Sequence, residues 1–131
     1  MVIVAVVLFV AAVAIGALGV AGLTGRLGRN RWAGVRTPES LRDDETFALA
    51  NKVAAPTMLA AAGVLVIGGL AGVLLDGVLP VAAAIVAVVA AFLLTAAGGT
   101  LGSRAAAAVP ETSGCGTSCG ACSLKGACEP A

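Results

Sequence analysis

Three long apolar stretches, free of charge throughout, dominate the chain and are separated by one long and one short polar segment. The first, residues 2–23, reads VIVAVVLFVAAVAIGALGVAGL. It is apolar on every side, the pattern of a helix buried all round or surrounded by lipid. At about 1.5 Å per residue it makes a helix of about 33 Å, enough to cross a hydrocarbon core of about 30 Å. The second stretch spans residues 53–75 and the third runs from 81 to about 101. The break between them, Asp76-Gly77-Val78-Leu79-Pro80, has room only for a tight turn, so the last two spans form a hairpin. Pro56 is expected in the first turn of the second span, where its missing N–H costs nothing. Gly16, Gly19 and Gly22 share one side of the first span, and Gly68 and Gly72 form a GxxxG pair in the second. Such small-residue faces let helix backbones approach, within one chain or in a homo-oligomer.

Residues 24–52, TGRLGRNRWAGVRTPESLRDDETFALANK, break the apolar pattern. Gly25, Gly28 and Gly34 predict a loop or turn in the first half. The second half predicts an amphipathic helix reaching about Asn51, with Thr37 as its cap and Pro38 in its first position. Ser40 followed by Asp43 is an alternative cap one turn later. Glu45, three residues after Arg42, is placed for an exposed ion pair worth about 0.3–0.5 kcal/mol. Asp43, Asp44 and Glu45 are consecutive, so on a helix they diverge rather than converge on a metal.

Composition and charge narrow the class. Of 131 residues 60% are hydrophobic and 11% charged, more apolar surface than a small soluble domain can hide. The expected fold is all-α and integral to the membrane, with three transmembrane helices and a cytoplasmic amphipathic helix between spans 1 and 2. The membrane domain covers residues 1–103, and a Cys-rich tail covers 104–131. A net charge of +1 offers no global field for nucleic acid. The chain has no His and no Tyr, and no nucleophile–base pair is evident, so an enzyme is not expected.

Six of the eight basic residues lie in 24–52: Arg26, Arg29, Arg31, Arg36, Arg42 and Lys52. Short loops rich in Lys and Arg stay in the cytoplasm. The expectation is therefore a multi-pass cell-membrane protein with its N-terminus outside, the 24–52 loop inside, the 76–80 turn outside and the tail cytoplasmic. Anchoring alone would account for the arginines and for Trp32 as a headgroup-belt residue. It does not account for the order Gly-Arg-x-x-Arg-Asn-Arg-Trp-x-Gly-x-Arg-Thr-Pro, because an anchor needs only charge.

Residues 25–56 of that segment resemble the SdpI-like family of bacterial membrane proteins. The likeness rests on Asn30, Gly34, Arg36, Thr37, Pro38, Leu41, Glu45, Phe47, Ala50 and Asn51, and it extends over roughly residues 16–95. Arg29, Phe47 and Lys52 stand where Pro, Trp and Arg are common, and the tail lies outside the family pattern. The resemblance implies immunity to a secreted peptide toxin, or signalling in which a cytoplasmic regulator is held at the membrane. The loop is then a partner-binding surface, with Arg29, Asn30, Arg31, Trp32, Gly34, Arg36, Thr37, Pro38 and Asn51 as candidate residues. Its arginines and aromatic also suit anionic lipid of the bilayer.

The tail carries the second motif, Cys115-x3-Cys119-x2-Cys122-x5-Cys128. Four thiolates so close together fit one Zn²⁺ or an iron–sulfur cluster, and redox-active thiols remain an alternative. A reducing cytosol disfavours structural disulfides. The alternative function is an accessory or structural subunit of a membrane complex, handling metal through this tail.

Overall fold

The computed structural model describes residues 2–29 and 32–110. It is all-α, with helix α1 at Val2–Leu23, α2 at Asp44–Leu74 and α3 at Leu79–Ala107. All three are long and apolar enough to cross a membrane. Helix α1 coincides with the first apolar run. Helices α2 and α3 extend beyond theirs at the loop side.

Helix α2 is central, and α1 and α3 each pack along it. Its buried positions are mostly small: Ala50, Ala54, Ala55, Ala61, Ala62, Gly68, Gly69 and Gly72 among them. Large apolar side chains such as Ile3, Val13, Ile67 and Phe92 point outward. That arrangement suits a bundle solvated by lipid. Association there comes from close backbone packing rather than from hiding large hydrophobes. At Gly68 the approach is so tight that a β-carbon would collide with the β-carbon of Ala87 on α3. The mid-bundle core joins Leu8 and Ala12 of α1, Ala61 and Leu65 of α2, and Ala84 and Ala91 of α3.

The separate amphipathic helix predicted between the first two spans is not formed among the described residues. Thr37 does begin a helical turn: the Leu41 N–H donates to the Thr37 carbonyl at 3.0 Å. The turn stops there, because Asp43 adopts an extended conformation (φ −147°, ψ 171°) and restarts the chain as the cap of α2. The Asp43 carboxylate accepts the Thr46 N–H at 2.7 Å, and Thr46 Oγ1 accepts the Asp43 N–H at 3.3 Å. From Asp44 the helix runs unbroken through Asn51, Lys52 and Pro56, so Pro56 lies in its interior rather than in a first turn. Pro56 faces outward, where the lost hydrogen bond disturbs no packing. A left-handed Gly77 (φ +75°) then turns the chain into α3, whose first turn holds Pro80.

Candidate functional site

The loop between α1 and α2 is fastened to the bundle at a buried node. Asn51 of α2 is 2% exposed. Its Oδ1 accepts the Val35 N–H at 2.8 Å, and its Nδ2 donates to the Phe47 carbonyl at 2.8 Å. Ser40, fully buried, donates its hydroxyl to the Val35 carbonyl at 2.9 Å and accepts the Thr37 N–H at 2.8 Å. Both backbone polar groups of Val35 are therefore satisfied by side chains, as a buried peptide unit requires. The freed side chain of Val35 inserts among Ala50 and Ala54 of α2 and Ala106 of α3. The loop thereby caps the seam between those two helices.

Three glycines make room for this node. A β-carbon on Gly34 would collide with Asn51 Oδ1, and its φ of +94° already favours glycine. A β-carbon on Gly22 of α1 would lie 2.9 Å from the Asn51 carbonyl oxygen. One on Gly102 of α3 would lie 2.5 Å from the Ala50 carbonyl oxygen. All three helices thus converge within one turn of Asn51.

Two arginines brace the loop further out. Arg29 Nη1 donates to the Leu41 carbonyl at 3.2 Å, and its Nε lies 3.2 Å from Asp44 Oδ1. Arg42 Nη2 donates to the Val109 carbonyl at 3.0 Å, and its Nε lies 3.6 Å from Asp43 Oδ2. Arg42 therefore pairs with Asp43, not with Glu45 as its helical spacing suggests, because residues 42 and 43 precede the helix. The Val109 contact also places a cation at the C-terminal end of α3, where the helix dipole favours one. The Asp43 carboxyl lies below the ordinary carboxylate range, chiefly through its bond from the Thr46 N–H and secondarily through the Thr46 hydroxyl and Arg42. Glu39 is lowered too, by its own backbone N–H and by Thr37.

The candidate binding residues separate into two groups. Gly34, Thr37 and Asn51 build the support, and Asn51 is enclosed within it. Trp32 (91% exposed), Arg36 and Pro38 face outward on the supported surface. Arg29 braces the loop. Asn30, Arg31 and the four tail cysteines lie outside the described residues. Among the described residues no three His, Cys, Asp or Glu side chains gather to hold a metal. Sequence reasoning missed Val35 and Gly102; it read Gly22 as part of a close helix-approach face, which the contact with Asn51 on α2 bears out, and Ser40 as an alternative helix cap.

The SdpI/YfhL protein family matches residues 26–100, more than half the chain. The chain belongs to the SdpI/YfhL family. The match includes the loop node except Gly22, Gly102 and Ala106, and it supports a multi-pass membrane protein. Comparison with curated proteins and with solved structures gave no match.

Proposed function

We propose that this SdpI/YfhL protein acts by binding, in peptide-toxin immunity or in signal transduction at the membrane. The observation that carries the reading is the node at Asn51. A topological anchor needs only positive charge, whereas this loop is fixed by a buried Asn, a buried Ser and a close approach at Gly34, on a site where Gly22 and Gly102 bring α1 and α3 tightly against α2. Ordering a loop costs about 1–2 kcal/mol of backbone entropy per residue. The expense makes sense when the loop must present a defined surface. Here that surface displays Trp32, Arg36 and Pro38, an aromatic and a cation of the kind enriched in interface cores. The reading includes an N-terminus outside the cell and a cytoplasmic loop and tail, supported by the Arg and Lys asymmetry.

A toxin-survival assay tests it, with membrane level and helicity measured in parallel. Arg36→Ala should weaken the loop's contact by roughly 1.5–3 kcal/mol if that contact is charge-assisted, about 10- to 100-fold. Arg26→Ala, an equal loss of charge on the same loop, should leave survival near normal. Equal effects from the two would mean that the loop acts through bulk charge, and the reading would fail.

For the tail we propose a cytoplasmic four-thiolate centre, Zn²⁺ or iron–sulfur, supported by the density of Cys115, Cys119, Cys122 and Cys128. This second reading makes the chain an accessory, metal-handling member of a membrane complex.

A further inference from the structure

A notch of about 350 Å³ opens at the loop end of α2, away from Trp32 and Pro38 in its lining. The end of α1 forms one wall through Leu23 and Thr24. Ala48, Leu49 and Lys52 of α2 line the notch as well, as does Val109 just beyond α3. Glu45, in the first turn of α2, is the lining residue of that helix farthest from the apolar span. The notch lies where the apolar spans give way to polar chain, the depth of phospholipid headgroups in a bilayer.

Its chemistry is ordered along the helix axis. Lys52 and Glu45 are both exposed, and neither forms a salt bridge among the described residues. They lie on one face of α2, two turns and about 10 Å apart, with Lys52 nearer the apolar span. Below Lys52 the same face continues through Pro56, Ala60 and Gly63, all exposed, and a β-carbon on Gly63 would meet nothing within 4 Å. Pro56 has no N–H for the Lys52 carbonyl, so the helix leaves that oxygen without its usual donor at the notch. From the membrane outward this face runs through an apolar strip, the Lys52 carbonyl that Pro56 leaves without its helical donor, the Lys52 cation, and the Glu45 carboxylate.

We infer that this notch seats one phospholipid with a zwitterionic, primary-amine headgroup. An acyl chain lies along Pro56, Ala60 and Gly63, the phosphate meets the Lys52 ammonium, and the headgroup ammonium meets the Glu45 carboxylate. Phosphate nearer the chains and amine farther out is the covalent order of phosphatidylethanolamine, and it matches the order of the two side chains. A net-anionic headgroup would meet repulsion from Glu45. A quaternary choline has no N–H for the carboxylate. The inference is independent of any partner of the loop.

The test uses full-length protein purified in mild detergent, incubated with defined lipids and examined by native mass spectrometry. Phosphatidylethanolamine should be retained in preference to phosphatidylglycerol and phosphatidylcholine. Lys52→Gln and Glu45→Gln should each lower its retention about threefold, the scale of one solvent-facing ion pair. Both side chains are exposed, so helicity by circular dichroism should be unchanged. Arg26→Gln, which removes a cation outside the notch, should have no effect. Equal retention of the three lipids, an effect of Arg26→Gln as large as that of Lys52→Gln, or undiminished retention in Glu45→Gln overturns the assignment.

Discussion

The side-chain oxygen of Asn51 lies where a β-carbon on Gly34 would have to sit. The two residues come from different parts of the chain, one from the loop and one from a membrane-spanning helix. A side chain on Gly34 would have to displace Asn51. Asn51→Ala leaves the buried Val35 N–H without its acceptor, at a cost of about 1–3 kcal/mol. Gly34→Ala adds a collision to a left-handed strain of about 1–2 kcal/mol. Both variants should lower the thermal midpoint in mild detergent. Arg36→Ala, on the outer surface, should stay within about 0.5 kcal/mol of the parent. Trp32 is the only tryptophan and stands two residues from Gly34, so its fluorescence should report loosening of the loop in the first two variants.

Glycines in α2 and α3 should separate by what faces them. Gly63→Ala places a methyl in open space and gains helix propensity, so stability should rise by up to about 0.5–1 kcal/mol. Gly68→Ala would drive its methyl into Ala87, and Gly102→Ala into the Ala50 carbonyl. Both should destabilise and push α3 away from α2. Thermal unfolding of the three variants in one detergent decides the matter, and a similar response from all three would contradict the packing described.

Acidification should release the cap of α2. The native Asp43 carboxyl titrates below its unfolded value of about 3.9, so its stabilising contribution is complete above that value. The contribution is lost as pH falls through the lowered native value. Helicity and thermal midpoint should therefore be flat from pH 7 to about 5 and decline below about 4. Asp43→Asn keeps an acceptor for the Thr46 N–H but removes the titration. Its midpoint should change less between pH 5 and pH 3 than that of the parent.

The proposed tail centre predicts stoichiometric Zn or Fe in full-length protein purified without oxygen. Replacing any one of Cys115, Cys119, Cys122 and Cys128 by Ser should reduce metal content sharply, since the coordination sphere would be incomplete. Co²⁺ substitution should give a tetrahedral thiolate spectrum. Metal-free protein with unchanged spectra would leave the tail without a metal role.

The spans were legible from the sequence because uninterrupted apolar runs have few alternatives: α1 begins and ends where its run does. The start of α2 was misplaced for a local reason. Pro56 reads as a helix beginning, yet an outward-facing proline is tolerated in mid-helix once packing on both sides holds the rod. Thr37 and Pro38 read as a cap, and they do open a turn, but the stronger box formed by Asp43 and Thr46 displaces the helix start. The motif residues were visible as a set. Their division into supporting and displayed groups was not, because it depends on approaches between segments distant in sequence. Gly102 and Ala50 meet only in the folded bundle, and a lone glycine in an alanine-rich helix carries no signal of what lies opposite.

Helix α2 is an unbroken rod of 31 residues, about 46 Å long against a hydrocarbon core of about 30 Å. Its surplus length stands clear of the hydrocarbon, and the loop is fastened to that part at Asn51. The height of the loop above the lipid is then a function of how far the rod tilts. An apolar stretch longer than the local hydrocarbon leans over, and a thicker bilayer lets it stand more upright. Bilayer thickness therefore sets the elevation of Trp32 and Arg36, giving lipid composition a mechanical hold on the exposed loop without any hinge in the protein.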